Sequence, residues 1–138
     1  MMQLPDAAWL HDKALRRLVE ALRLDRKPPR IVGGAVRDAL LAIDVADIDL
    51  ATPLLPEEVI ERLESAHIKA VPTGIEHGTV TAVFDGRTFE ITTLRRDVST
   101  DGRRATVEFS IDWKEDAARR DFTINALSAD PDNRQIFD

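Results

Sequence analysis

The sequence predicts an α+β domain built on a small mixed or antiparallel sheet flanked by helices. Residues 5–24 place apolar side chains at helical spacing. Residues 79–84 and 87–94 form two runs rich in β-branched and aromatic side chains, joined by the turn pair Asp85-Gly86. Between these stretches a three-residue strand, two glycines and a helix follow one another directly. A chain of 138 residues suits one domain with a real core and is too short for two.

Composition removes several classes of function. There is no cysteine, hence no disulfide and no thiolate metal site, which fits a reducing cytoplasm. The start of the chain lacks the basic and apolar regions of a signal peptide. No apolar stretch approaches the roughly 20 residues of a membrane span, so no membrane partner is expected. The net charge of -6 argues against a domain that grips nucleic acid through phosphate contacts. If a nucleic acid is a partner, this domain is expected to supply chemistry while another part supplies grip.

In chain order, Pro5 to Leu24 reads as an amphipathic helix, with Leu15, Leu18, Val19 and Leu22 on the apolar face. Arg26-Lys27-Pro28-Pro29 breaks it. Arg30-Ile31-Val32 is a short strand, Gly33-Gly34 follows, and Ala35 to Leu41 is helical. Strand, double glycine and helix can receive a phosphate, because glycine lets the backbone approach a ligand and a helix start presents N–H groups. The pair serves equally as a tight turn. Arg37 falls in the first helical turn, where a cation opposes the helix dipole and an anionic ligand would explain it.

Val45 to Ala51 reads as a strand carrying Asp47 and Asp49 on one face and Ile48 and Leu50 on the other. Two acids side by side on a half-buried strand call for a positive partner, and a divalent cation suits their hard oxygens. Exposed strand-end charge is the plainer reading. Pro56 opens a packing helix with Glu57 and Glu58 in its first turn and Val59, Ile60 and Leu63 inward. Ile68 to Val71 is a short strand and Pro72-Thr73-Gly74 a turn. In the following hairpin, Phe89, Ile91 and Thr93 share one face, while Glu90 stands as an isolated acid on the other. It serves an exposed face, or a third carboxylate beside Asp47 and Asp49 if the strands are neighbours.

Arg95 to Asp112 loses periodicity and reads as a long loop, mobile around residues 99–104. Asp112 caps a helix from Trp113 to Arg119. Residues 119–127 read as a second helical piece that places Asp121 and Asn125 on one face, with a solvated charge cluster as the alternative. His11, His67 and His77 have no carboxylate or histidine at ligand spacing. Gln135-Ile136-Phe137-Asp138 reads as a strand just begun, so the natural protein is expected to continue.

Taken together, Gly33-Gly34-Ala35-Val36-Arg37-Asp38, Asp47-Ile48-Asp49 and Arg119-Arg120-Asp121-Phe122-Thr123-Ile124-Asn125-Ala126 resemble the class II nucleotidyltransferases. These are the tRNA CCA-adding enzymes and bacterial poly(A) polymerases of the polymerase-β superfamily. Gly74 to Thr79, Phe89 to Arg95 and Asp101-Gly102-Arg103 extend the resemblance over residues 30–138. It implies a polymerase-β-like fold and attack of an RNA 3′-hydroxyl on the α-phosphate of CTP or ATP, with release of pyrophosphate. It implies two Mg²⁺ ions held by Asp47, Asp49 and Glu90 as the catalytic acids. It assigns nucleotide binding to Gly33, Gly34, Arg37, Arg119, Arg120 and Asn125, with Asp38 and Asp121 orienting arginines.

The resemblance also implies that residues 1–138 are the catalytic head, without the neck, body and tail that read the base and hold tRNA. The family's neck carries a Glu-Asp-x-x-Arg motif. Glu115-Asp116-Ala117-Ala118-Arg119 has those letters but lies upstream, inside the arginine motif. CCA addition is the reading favoured by Phe89 to Arg95 with its Asp-Gly-Arg loop; poly(A) synthesis shares the motifs. A dehalogenase-type phosphohydrolase also uses Asp-x-Asp, but it leaves the glycine helix and the arginine motif unexplained. A non-catalytic nucleotide- or RNA-binding remnant is the other rival, and the presence of every expected acid argues against it.

Overall fold

The computed structural model describes residues 3–41, 48–84, 86–100, 105–118 and 127–137. Its centre is a mixed sheet. In chain order the described elements are α1 (Lys13–Ala21), β1 (Arg30–Val32), α2 (Gly34–Leu40), β2 (Asp49–Thr52), α3 (Pro56–Ser65) and β3 (Lys69–Gly74). They continue with β4 (Thr79–Phe84), β5 (Arg87–Thr93), β6 (Arg95–Thr100), β7 (Ala105–Phe109), α4 (Trp113–Ala118), β8 (Ser128–Ala129) and β9 (Ile136–Phe137). The main sheet runs β3-β4-β5-β2-β1-β8-β9, and β6 pairs with β7 alone. Neighbours are antiparallel except β2 and β5, which are parallel.

The sheet has two unlike faces because its strands alternate apolar and polar residues. Ile31, Leu50, Val80, Phe89 and Ile91 are buried on one face, in a core shared with Leu15, Leu18 and Val19 of α1 and Val59 and Leu63 of α3. The expected inward residues of α1 and α3 are therefore in place, Ile60 being only partly buried. The other face carries a smaller cluster of Val32, Ala51 and Leu94 under Trp113. Asp49 and Glu90 lie on that second, more open face, with Ile48 and Leu50 buried on the first.

Several boundaries differ from the sequence expectation, each for a reason set by tertiary pairing. The helix expected from Pro5 to Leu24 is a 3₁₀ turn at Ala8–His11 followed by α1. Gln3 pairs with Gln135, and the Leu4 N–H donates to the Arg134 carbonyl at 2.8 Å, which holds this segment extended. The turn expected at Pro72-Thr73-Gly74 lies within β3 at a register irregularity between Val71 and Gly74. β3 is an edge strand, where a proline without an N–H is tolerated. The aperiodic stretch from Arg95 is the β6–β7 hairpin, not a single loop. A two-stranded ribbon outside the main sheet has no need of a regular apolar face, so its strands leave little alternation to read. Residues 101–104 lie outside the described residues.

The β4–β5 hairpin holds the expected register, from Thr79↔Thr92 to Phe84↔Arg87. Asp112 caps α4, its Oδ1 accepting the Lys114 N–H at 2.8 Å. β8 was not anticipated from sequence, because two residues carry no periodicity. The turn after it is closed by Asp130 Oδ1, which accepts the N–H groups of Asp132 and Asn133 at 2.7 and 3.2 Å.

This turn is tied to the first helical region. Asp132 pairs with Arg23 at 2.9 Å and with Arg16 at 2.5 Å. The hydrogen bond from Arg23, aided by Arg16, holds the Asp132 carboxyl below its ordinary value against the opposing effect of partial burial. A depressed folded pKa contributes stability above the unfolded value, and that contribution is lost as pH falls through the folded one. Asp132→Asn is therefore expected to cost about 0.5–1 kcal/mol at pH near 7, solvent screening included, with the gap closing below about pH 4. Urea unfolding of both proteins at the two pH values checks this, and an equal gap at both would contradict it.

Candidate active site

The open face brings together residues that are far apart in the chain. Pairing of β2 with β5 sets Asp49 directly beside Glu90, and pairing with β1 sets Val32 on its other side. Register partners on adjacent strands project to the same face, so the two carboxylates are lateral neighbours. Glu90 is exposed and Asp49 half-buried. The condition set for Glu90 as a companion acid, adjacency of its strand to that of Asp49, is met.

Gly33 follows Val32 and leaves β1 with φ +70° and ψ -137°. That conformation is essentially closed to residues with a Cβ. A Cβ built on Gly33 would stand 3.8 Å from Asp49 Oδ2, so the glycine backbone lies alongside the carboxylate. α2 then starts at Gly34, one residue before the expected start. Arg37 is the fourth of its seven residues, so first and last turns meet there and the dipole argument for its placement fails. The side chain nevertheless folds back toward the helix start: Nη2 would stand 3.3 Å from a Cβ on Gly34. Arg37 Nε donates to Asp38 Oδ1 at 3.1 Å, leaving the exposed guanidinium beside the glycine pair.

The other expected site residues, Asp47, Arg119, Arg120, Asp121 and Asn125, lie outside the described residues. Among the described residues no three acidic or histidine side chains converge. Asp116 is buried, and its Oδ1 accepts the Arg95 N–H at 2.9 Å. Glu115 Oε1 accepts the Ser110 hydroxyl at 3.0 Å. The Glu-Asp pair of the motif-like Glu115 to Arg119 stretch thus fastens α4 to the base of the β6–β7 hairpin. His11 does meet a carboxylate, Asp6 at 2.7 Å, because the 3₁₀ turn folds the two together. Both are exposed and remote in sequence from the acid pair.

Two features went unseen in the sequence. Arg30, on the same face as Val32, lies 4.2 Å from the Trp113 ring centroid and 3.6 Å from that of Phe137. These contacts hold the start of α4 and β9 against the open face. Threonines line the β3–β4–β5 side: Thr73 and Thr81 hydroxyls are 2.8 Å apart, and those of Thr79 and Thr92 3.3 Å. The alternation Thr79-Val80-Thr81-Ala82 was the available signal for the second.

Comparison with known proteins shows the family to which the chain is similar. Residues 29–138 match the poly A polymerase head domain. The mitochondrial CCA tRNA nucleotidyltransferase 1 of Homo sapiens is 46% identical over 127 residues, covering 91% of this chain and 29% of that protein. The CCA-adding enzyme of Bacillus licheniformis is 47% identical over 107 residues, covering 76% of this chain and 26% of its own. Among solved structures, the Bacillus stearothermophilus CCA-adding enzyme in complex with CTP superposes with a TM-score of 0.75 at 36% identity, over 94% of this chain and 29% of that one. A tRNA nucleotidyltransferase complexed with a primer tRNA and an incoming ATP analogue gives 0.59 at 32% identity, covering 80% of this chain and 30% of that one. The chain thus spans under a third of the length of these relatives. With its mixed sheet, its glycine-led helix and a match across residues 29–138, this chain belongs to the poly A polymerase head domain family.

Proposed function

We propose that this chain is the catalytic head of an RNA nucleotidyltransferase that needs no template and that adds CCA to tRNA 3′ ends from CTP and ATP. The observation that carries this reading is the pairing of Asp49 with Glu90 across parallel β2 and β5, with Gly33 alongside. In the reaction the RNA 3′-oxygen bonds to the α-phosphorus as the bond to the bridging oxygen breaks. Pyrophosphate leaves with that electron pair, and the hydroxyl proton passes to water. Gly33 and Gly34 meet the triphosphate through backbone, and Arg37, oriented by Asp38, neutralises part of its charge. Arg119, Arg120 and Asn125 complete the nucleotide site, with Asp121 orienting the arginines.

Two carboxylates in register on adjacent strands repel unless a cation lies between them, and their hard oxygens suit Mg²⁺. Asp47, Asp49 and Glu90 would hold two such ions, which when bound lower the pKa of the attacking hydroxyl and neutralise the leaving oxygens. The net charge of -6 supports a division of labour in which other parts of the full-length protein hold RNA and read the base. Lack of cysteine supports a reducing compartment such as the cytoplasm.

The match to a poly A polymerase head keeps polyadenylation as the second reading. Product length decides between them. The full-length protein, given Mg²⁺, CTP, ATP and a tRNA lacking its terminal CCA, is expected to add three nucleotides and stop. A lengthening A tail would establish the second reading, and no incorporation would overturn both.

A further inference from the structure

We infer that the terminal ribose of the RNA acceptor is held by a threonine pair, Thr73 and Thr81, on the side of the acids away from the glycines. This rests on the transfer reaction proposed above. In phosphoryl and nucleotidyl transfer the entering and leaving oxygens lie roughly in line, on opposite sides of the phosphorus. Gly33, Gly34 and Arg37 all sit on the β1 side of Asp49, so the leaving pyrophosphate belongs there. The entering hydroxyl must then arrive over β5 and β4.

Register states what it meets there. Next to Asp49 comes Glu90, and next to Glu90 comes Thr81. β3 closes this side with an irregularity: from Val71↔Thr81 to Gly74↔Thr79, three steps on β3 face two on β4. Such bulges re-aim a side chain. Here Thr73 is turned so that its hydroxyl lies 2.8 Å from that of Thr81. Thr73 is exposed, whereas Thr81 is nearly buried, at 9%. Two hydroxyls bonded to each other use one proton between them, which leaves the other free to donate and a lone pair free to accept. That matches a ribose 2′-hydroxyl, itself donor and acceptor. Thr73 makes the contact, and Thr81 is a positioning residue that aims it.

The test uses the full-length protein with acceptor tRNAs whose last nucleotide carries either ribose or 2′-deoxyribose. The wild type is expected to favour the ribose acceptor roughly tenfold in kcat/KM, and Thr73→Val to abolish that preference while changing KM for the triphosphate less than about twofold. Thr81→Val is expected to weaken the preference, and Thr73→Ser and Thr81→Ser, which keep the hydroxyl, to retain it. A full preference in Thr73→Val, or an equal rise in acceptor and triphosphate KM, would overturn the assignment. Absence of any incorporation by the wild type would instead overturn the underlying transfer reading.

Discussion

Asp49→Asn is expected to reduce nucleotide incorporation on the order of a thousandfold, about 4 kcal/mol of transition-state stabilisation. The substitution is isosteric and keeps the place in β2 between Val32 and Glu90. What it removes is one negative charge at the point where, on the proposed reaction, hard oxygens would hold a cation against a triphosphate. Stability is therefore expected to change by no more than about 1 kcal/mol, measured by urea unfolding without added metal. Single-turnover CMP incorporation into tRNA lacking CCA, in the full-length protein, gives the rate. Activity within tenfold of wild type would mean that Asp49 does not serve the reaction. Equal losses of stability and activity would mean a structural role instead.

The second large effect is expected from Gly33→Ala. At φ +70° and ψ -137° an added Cβ strains the backbone whatever space surrounds it, costing about 1–3 kcal/mol. Space is available, since the nearest atom to that Cβ would be Asp49 Oδ2 at 3.8 Å. Relief of the strain by rotating the peptide would displace the backbone that lies alongside the carboxylate. KM for CTP should therefore rise by about tenfold or more, beyond what lost stability explains. Gly86→Ala is the control: φ is also +70°, at the tip of the β4–β5 hairpin, and nothing lies within 4 Å of the added Cβ. It should lose stability while KM stays unchanged. A similar KM rise in both variants would detach Gly33 from the nucleotide.

Where local pattern and tertiary demand coincide, the fold was legible in the sequence. Phe89, Ile91 and Thr93 alternate with Glu90 because their strand is buried on one side only, and the structure buries those three. Leu15, Leu18, Val19 and Leu22 repeat at helical spacing and are all buried. Reading failed where long-range pairing overrode the local pattern. Gln3 and Leu4 are held extended by residues 134 and 135, at the far end of the chain, which shortens the first helix. Pro72 reads as a turn until β3 is known to be an edge strand. The β6–β7 ribbon was hidden because strands outside a packed sheet need no apolar alternation.

The candidate site divides in the same way. Sequence by itself determined the kinds of residue: an Asp-x-Asp pair, a glycine pair before a helix, and an acid alone in an apolar strand. These are one-dimensional features, since residue type and the period of a strand are carried locally. Only the tertiary structure decided which of them meet. The parallel pairing of β2 with β5 joins segments some forty residues apart and sets Asp49 beside Glu90. The bulge in β3 turns Thr73 toward Thr81 on that same face. Strand order and register are set by burying the whole apolar face at once, and a one-residue slip would turn Glu90 into the core.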